Sequence, residues 1–312
     1  MHKNVYGHIA QNTRKTIFLL LCFPAALCLI FYGLVLLITG NSPESKAEIM
    51  QLFLAGCPIL IGVTILWSII SFLTGDKMML GFAHAKELTE KSSLEYRKIR
   101  HTVENVALAA GLPTPKIYLI DDDSLNAFAT GRSPDSASIA LTTGLVKKLS
   151  PLELQAVIAH EMGHIGNRDT RLNMIIITCL GIFGLLADIL IRIRLRGKDS
   201  AKVQLIIWLF WIGLMVFNWI IAPIIHFALS RTREFQADAT AAFITRNPKA
   251  LANALEKISA DSRVEVLDKS PQMGTACIAD PTAGSHQAFA GIGKTHPPIK
   301  ERIKRLNEML GF

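Results

Sequence analysis

Two stretches without a single charged residue, Thr16 to Ile38 and Gln51 to Gly75, constrain what this chain can fold into more than any other feature of it. Each exceeds the length of about 20 residues that an α-helix needs to cross the hydrocarbon core of a bilayer. No water satisfies the backbone there, so a run of this kind spans as a helix. The composition agrees: 50% of the 312 residues are hydrophobic and the mean hydropathy is +0.35, too apolar for an ordinary soluble enzyme. The first run is longer than the roughly 7 to 15 apolar residues of a signal peptide, and it reads as a retained anchor.

Basic residues near the span ends set the orientation. Lys3, Arg14 and Lys15 precede the first run, Glu44, Lys46 and Glu48 occupy the short connection, and Lys77, Lys86, Lys91, Arg97, Lys98 and Arg100 follow the second. The N-terminus and the region after Gly75 therefore read as cytoplasmic. Two further apolar runs, Asn173 to Ile191 and Val203 to Leu229, contain Asp188, Asn218, Pro223 and His226, which are costly in hydrocarbon unless they face protein or water. The loop between them carries Arg192, Arg194, Arg196, Lys198 and Lys202, which a full hairpin would place outside, against the positive-inside tendency. The pair reads as a true hairpin, a re-entrant pair, or helices packed on the polar region. The net charge of +8 collects at these membrane flanks rather than on one aromatic-bearing face, so lipid headgroups and not nucleic acid are the expected partner. The 5 cysteines lack metal-ligand spacing and read as small buried hydrophobes.

Chemistry concentrates at His160-Glu161-Met162-Gly163-His164. On a helix, positions i and i+4 lie one above the other, so both imidazoles can reach one zinc ion, and Glu161, turned about 100° away, stands beside the open position where it can take a proton from water. Ser150, Pro151 and Glu153 supply the helix start as N-cap, first helical residue and capping-box partner. A third ligand comes from Ser230 to Asp238, where Glu234 and Asp238 again stand at i and i+4. Glu234 would complete a two-histidine, one-glutamate set, and Asp238 would accept the second N–H of a zinc histidine. The bland alternative is a surface helix whose Arg231 or Arg233 pairs with its own carboxylates.

Between these motifs the pattern is mixed. Glu87 to Ala110 reads as one or two helices ending at Gly111, Lys116 to Asp121 as a strand, and Asn126 to Gly131 with Ser138 to Thr142 as a hairpin across Arg132 to Ala137. The edge of that small sheet could accept an extended peptide as an added strand. Asp268 to Gly293 reads as a loop or lid. His296, before Pro297 and Pro298, and Arg302, on an amphipathic helix with Ile303 and Leu306, could contact the oxyanion of a tetrahedral intermediate.

Taken together, His160 to His164, Ser230 to Asp238, Asn126 to Gly131 and Thr295 to Pro298 with Arg302 resemble the HtpX group of the M48 membrane metalloproteases, over roughly Ala83 to Leu306. The resemblance implies a gluzincin-type zinc endopeptidase of the bacterial inner membrane, with one Zn2+ per chain and an active site facing the cytoplasm. It implies cleavage of misfolded or damaged membrane proteins, and self-cleavage once metal is supplied. Carried over by residue, His160, His164 and Glu234 are ligands, Glu161 the base, Asp238 an outer carboxylate, and Asn126, Ala127, Phe128, His296 and Arg302 substrate or transition-state contacts. The expected fold is a mainly α membrane protein with a small β-sheet and two to four transmembrane helices: an anchor over 1–80, a first protease segment over 81–172, apolar helices over 173–229 and a second protease segment over 230–312.

Three other readings compete. An intramembrane zinc protease would place the histidines inside a spanning helix, whereas Arg168, Asp169 and Arg171 separate them from the next apolar run. A channel using Asp188, Asn218 and His226 would leave the ordered motifs without a job. A zinc-stabilised scaffold would bind metal without cutting anything.

Overall fold

The computed structural model describes residues 5–39, 43–89, 94–194, 204–205, 207–216, 231–261, 263–264, 267, 273, 276–279 and 297–309. Two long helices come first, α1 (Val5–Thr39) and α2 (Pro43–Phe82). They are longer than the uncharged runs because α1 continues into charged sequence at its start, Val5 to Lys15, and α2 does so at both ends, Pro43 to Met50 and Asp76 to Phe82. Among the described residues, Phe53–Phe82 is long and apolar enough to cross a membrane, with a mean hydropathy of 2.2. Only 17% of its most apolar stretch is buried, and Leu54, Ile59 and Leu66 stand largely exposed, unlike a core helix. At about 1.5 Å per residue, α2 is about twice as long as a hydrocarbon core is thick, so a bilayer crossed by it would leave its end outside. At that end Met79 and Leu80 join one apolar cluster with Phe128, Leu172 and Ile176.

A four-stranded sheet follows in the order β1-β2-β4-β3, from β1 (Lys86–Glu87), β2 (Lys116–Ile120), β3 (Ala127–Thr130) and β4 (Ser138–Thr142). The expected helix from Glu87 is corrected here: Glu87 pairs with Tyr118 in an antiparallel strand, and α3 (Leu94–Ala110) begins later. Two strand residues are too few to leave a period in the sequence. The end of α3 is where the sequence puts it, with Gly111 at φ +67° and the Leu112 N–H donating to the Ala107 carbonyl at 3.0 Å. Strands β3 and β4 form the expected hairpin, Ala127 opposite Leu141 and Thr130 opposite Ser138, while β2 runs parallel to β4. All five β4 residues are buried, as suits a central strand.

Helices α4 (Thr143–Lys148) and α5 (Pro151–Gly166) follow. Ser150 and Glu153 close the capping box that starts α5, the Ser150 N–H donating to Glu153 Oε2 at 2.8 Å. Twelve residues of α5 are buried, making it the spine of the polar region. It packs on α3 through Ile99 and Val103, and on α9 (Pro248–Ala260) through Leu251, Leu255 and Ile258. The remaining helices are α6 (Asp169–Arg192), α7 (Ile207–Val216), α8 (Arg231–Thr245) and α10 (Ile299–Glu308). The third apolar run thus lies within one continuous helix, α6; of the fourth, residues 203, 206 and 217–229 lie outside the described residues. Strand β3 divides two apolar clusters, with Ala127 and Ala129 turned to the α5 side and Phe128 to the side of α2 and α6.

Candidate metal centre

Helix α5 carries His160, Glu161 and His164 on its buried length, and α8 lies alongside it carrying Glu234 and Asp238. The close approach depends on Gly163. A Cβ there would stand 3.2 Å from Ala237 Cα and 3.3 Å from Thr240 Cβ, so any larger residue would hold α8 away. With glycine in place, His160 Nε2 lies 3.2 Å from His164 Nε2, His164 Nε2 lies 3.5 Å from Glu234 Oε1, and His160 Nε2 lies 3.8 Å from Glu234 Oε2. Donors about 2.0–2.1 Å from a tetrahedral ion stand about 3.3–3.4 Å apart. The three side chains converge, one ligand atom from each lying within 4.8 Å of the others, close enough for a common ion to draw them together, and their chemistry, two imidazoles and a carboxylate, suits zinc.

Both imidazoles are held from behind. Asp238 Oδ1 lies 3.0 Å from His160 Nδ1, and Asp169 Oδ2 lies 3.0 Å from His164 Nδ1. An ionised carboxylate only accepts, so each Nδ1 donates and each Nε2 is turned to the common gap. Asp169 was not legible as a site residue. It reaches His164 because the chain reverses between α5 and α6 through Arg168 at φ +58°, and nothing in the local sequence marks a left-handed arginine. Asp169 is 1% exposed and also receives Asn12 Nδ2 of α1 at 2.7 Å and Arg233 Nη1 at 3.5 Å, both on Oδ1.

Arg302 of α10 is fully buried and forks onto Asp238, Nε to Oδ2 at 2.8 Å and Nη2 to Oδ1 at 2.7 Å. Its Nη1 lies 3.4 Å from Glu234 Oε2 and donates to the Ile278 carbonyl at 3.0 Å, while Nη2 stands 3.4 Å from both ring nitrogens of His160. Four carboxylates, Glu161, Glu234, Asp238 and Asp169, thus face two guanidinium groups, Arg302 and Arg233. When all are ionised, the excess of two negative charges is what a divalent cation would neutralise.

Glu161 is 1% exposed, and apart from the weak pull of the Ala129 backbone N–H neither carboxylate oxygen is satisfied by a well-formed hydrogen bond among the described residues. A buried acceptor in that state points to a missing water or ion. Burial, reinforced by Glu234, pushes its pKa up to about 7 against the pull of His164 and Arg302. Burial also lowers His160 to about 4, the Asp238 hydrogen bond opposing it. For His164 burial acts downward too, but the hydrogen bond to Asp169 and the charges of Glu234, Asp169 and Glu161 outweigh it and raise the group to about 9. Burial would raise Asp238, yet Arg302 dominates and holds it below the usual carboxylate range.

Asn126, Ala127 and Phe128 lie where the sheet edge meets this site, and the edge is covered by the chain itself. The Ile278 N–H donates to the Ala127 carbonyl at 2.9 Å, Phe128 and Cys277 form an antiparallel bridge, and Asn126 Nδ2 donates to the Ala279 carbonyl at 3.1 Å. His296 lies outside the described residues, as do most of those read as a lid, 268–293.

The family model described as "Peptidase family M48" matches residues 93–310. A "Protease HtpX homolog" of Listeria monocytogenes serotype 4a (strain HCC23) is 35% identical, covering 98% of this chain and all of its own length. One of Thermoanaerobacter pseudethanolicus (strain ATCC 33223 / 39E) is 38% identical, covering 98% of both chains. The crystal structure of S. mikatae Ste24p is similar at a TM-score of 0.46 and 20% identity, covering 95% of this chain and 65% of that one. Matched over most of its length by the family model and along nearly all of it by these relatives, the chain belongs to peptidase family M48, as a metalloprotease similar to the HtpX homologues.

Proposed function

We propose that this metalloprotease is a zinc endopeptidase of the bacterial inner membrane that cuts misfolded or damaged membrane proteins, and itself, on the cytoplasmic side. One observation carries the zinc reading: His160, His164 and Glu234 each turn a ligand atom to one point, all within 4.8 Å of one another, beside the buried carboxylate of Glu161. A bound zinc ion would supply a Lewis acid, polarising a peptide carbonyl and making water acidic enough to attack near neutral pH. Glu161 takes the proton of the attacking water and returns it to the leaving amine. Asp238 and Asp169 keep the two imidazoles oriented.

Arg302 Nη1 already donates to one peptide carbonyl, that of Ile278, and in the reaction it holds a substrate carbonyl in the same way. Asn126, Ala127 and Phe128 present the strand edge to the substrate backbone. An incoming peptide adds there by taking the place of residues 276–279. His296 is a further contact on the strength of the motif resemblance alone. We read α1 and α2 as two spans, and the basic residues flanking their outer ends support a cytoplasmic location for the metal centre.

The test is to purify the full chain in detergent without metal and add zinc while following cleavage of an unfolded membrane protein. One zinc per chain and zinc-dependent cleavage are expected. Stoichiometric zinc without cleavage of any unfolded polypeptide would favour the scaffold reading instead.

A further inference from the structure

The first three turns of α1 precede its uncharged run, yet they do not stand free in solvent. Asn12 is 5% exposed and Thr16, one turn on, is likewise 5% exposed, so this face of α1 is docked against protein. Asn12 lands on the turn between α5 and α6. Its Nδ2 donates to the Asn167 carbonyl at 3.1 Å and to Asp169 Oδ1 at 2.7 Å, which accounts for both amide hydrogens. Only acceptors surround that nitrogen, so the orientation of the amide is dictated rather than free. Arg171 Nη2 pins the neighbouring Thr13 Oγ1 at 2.6 Å.

Asp169 is almost wholly buried, so its position depends on its donors: Asn12 from α1 and Arg233 from α8 on Oδ1, His164 from α5 on Oδ2. The Asn12 bond is the shorter of the two on Oδ1, at 2.7 Å against 3.5 Å. Without it, the carboxylate is free to turn toward Arg233 and draw away from the His164 ring.

We propose that Asn12 is a positioning residue of the metal centre: through Asp169 it fixes the imidazole of His164, so the centre is complete only when the N-terminal helix is docked. The inference rests on His160, His164 and Glu234 holding a divalent metal. It makes the membrane anchor part of the active site as well as its tether.

Full-length protein in detergent, stripped of metal, provides the test, with zinc affinity measured by competition with a chelator and cobalt(II) used as a spectroscopic reporter of the ligand set. Asn12→Ala should weaken zinc about tenfold, at the low end of the range of about 10–100-fold for losing an outer partner of a metal ligand. It should also alter the visible cobalt spectrum and have no further effect on zinc affinity when Asp169 is already alanine. Thr16→Ala, which removes only the hydrogen bond from Thr16 Oγ1 to the Asn12 carbonyl at 2.8 Å and leaves the Asn12 amide in place, should leave the affinity unchanged. If Asn12→Ala does not fold, Asn12→Leu, of similar volume and without donors, is measured in its place. Unaltered zinc affinity in the Asn12 variant, or independent losses in the Asn12 and Asp169 variants, would overturn the inference while leaving the metal site standing. A wild-type chain that binds no zinc would instead remove the reading beneath it.

Discussion

Replacing Gly163 by alanine should separate two properties that usually move together. Alanine in the middle of α5 is favoured over glycine by about 0.8–1 kcal/mol of helix propensity. Against this, the new methyl would sit 3.2 Å from Ala237 Cα and 3.3 Å from Thr240 Cβ, inside the contact distance of about 3.5–4.0 Å, and overpacking of this kind costs about 1–3 kcal/mol. The gain offsets the low end of that cost, so zinc-free protein should lose at most about 2 kcal/mol of stability in thermal unfolding. The metal site is less forgiving. To relieve the contact α8 must retreat by about 0.3–0.5 Å, and Glu234, one turn from Ala237, moves with it, whereas ligand distances tolerate only about 0.2 Å. Zinc affinity should therefore fall about tenfold, or about 1.4 kcal/mol, in chelator competition. Wild-type affinity in Gly163→Ala, at any stability, would refute the claim that this glycine sets the distance between the two ligand-bearing helices.

Three further expectations concern charge and access. His164 is raised to about 9, so zinc must displace its proton: affinity should rise about tenfold per pH unit from about 6.5 toward 9, checked by calorimetry in buffers of different ionisation heat. By the same linkage, zinc-free protein holds the stability due to protonated His164 fully below about 6.5 and loses it as pH rises through about 9, so its unfolding temperature should fall across that window. Asp238→Ala strands the buried Arg302 and should destabilise the fold by about 3–5 kcal/mol, while Asp238→Leu with Arg302→Met should recover most of that in denaturant unfolding and still bind zinc weakly. Phe128→Cys places a thiol opposite the native Cys277, at the Cα separation of about 4.5 Å typical of such pairs and within disulfide range. Oxidation should then abolish peptide cleavage and reduction restore it, with no redox effect when Cys277 is also serine; full activity in the oxidised form would mean that substrate does not use this edge.

The local signals in the sequence were sufficient where the structure is local. Ser150, Pro151 and Glu153 announce α5, Gly111 ends α3, and the hairpin of β3 and β4 follows its alternation. The three side chains proposed as ligands were visible because helical spacing of i and i+4 is itself the signal, and the fold brings the two halves together across α6 and more than sixty residues of chain. What the sequence hides is set by tertiary contact. Asp169 becomes a partner of His164 only because Arg168 takes a left-handed conformation, and Asn12 is an ordinary polar residue until α1 docks on that turn. Residues 276–279 sit in a stretch of small and polar residues with no strand period, and their pairing exists only because β3 offers a free edge.

The central claim is that Glu161 moves the proton at a zinc site built by His160, His164 and Glu234. Glu161→Gln keeps the shape of the side chain and removes its basicity, so zinc-loaded Glu161→Gln protein should bind one zinc per chain with near-native affinity and lose cleavage of an unfolded membrane substrate by at least about a hundredfold, the lower end of what a general base contributes. Near-native cleavage by that protein, pure and with its zinc content verified, would contradict the account.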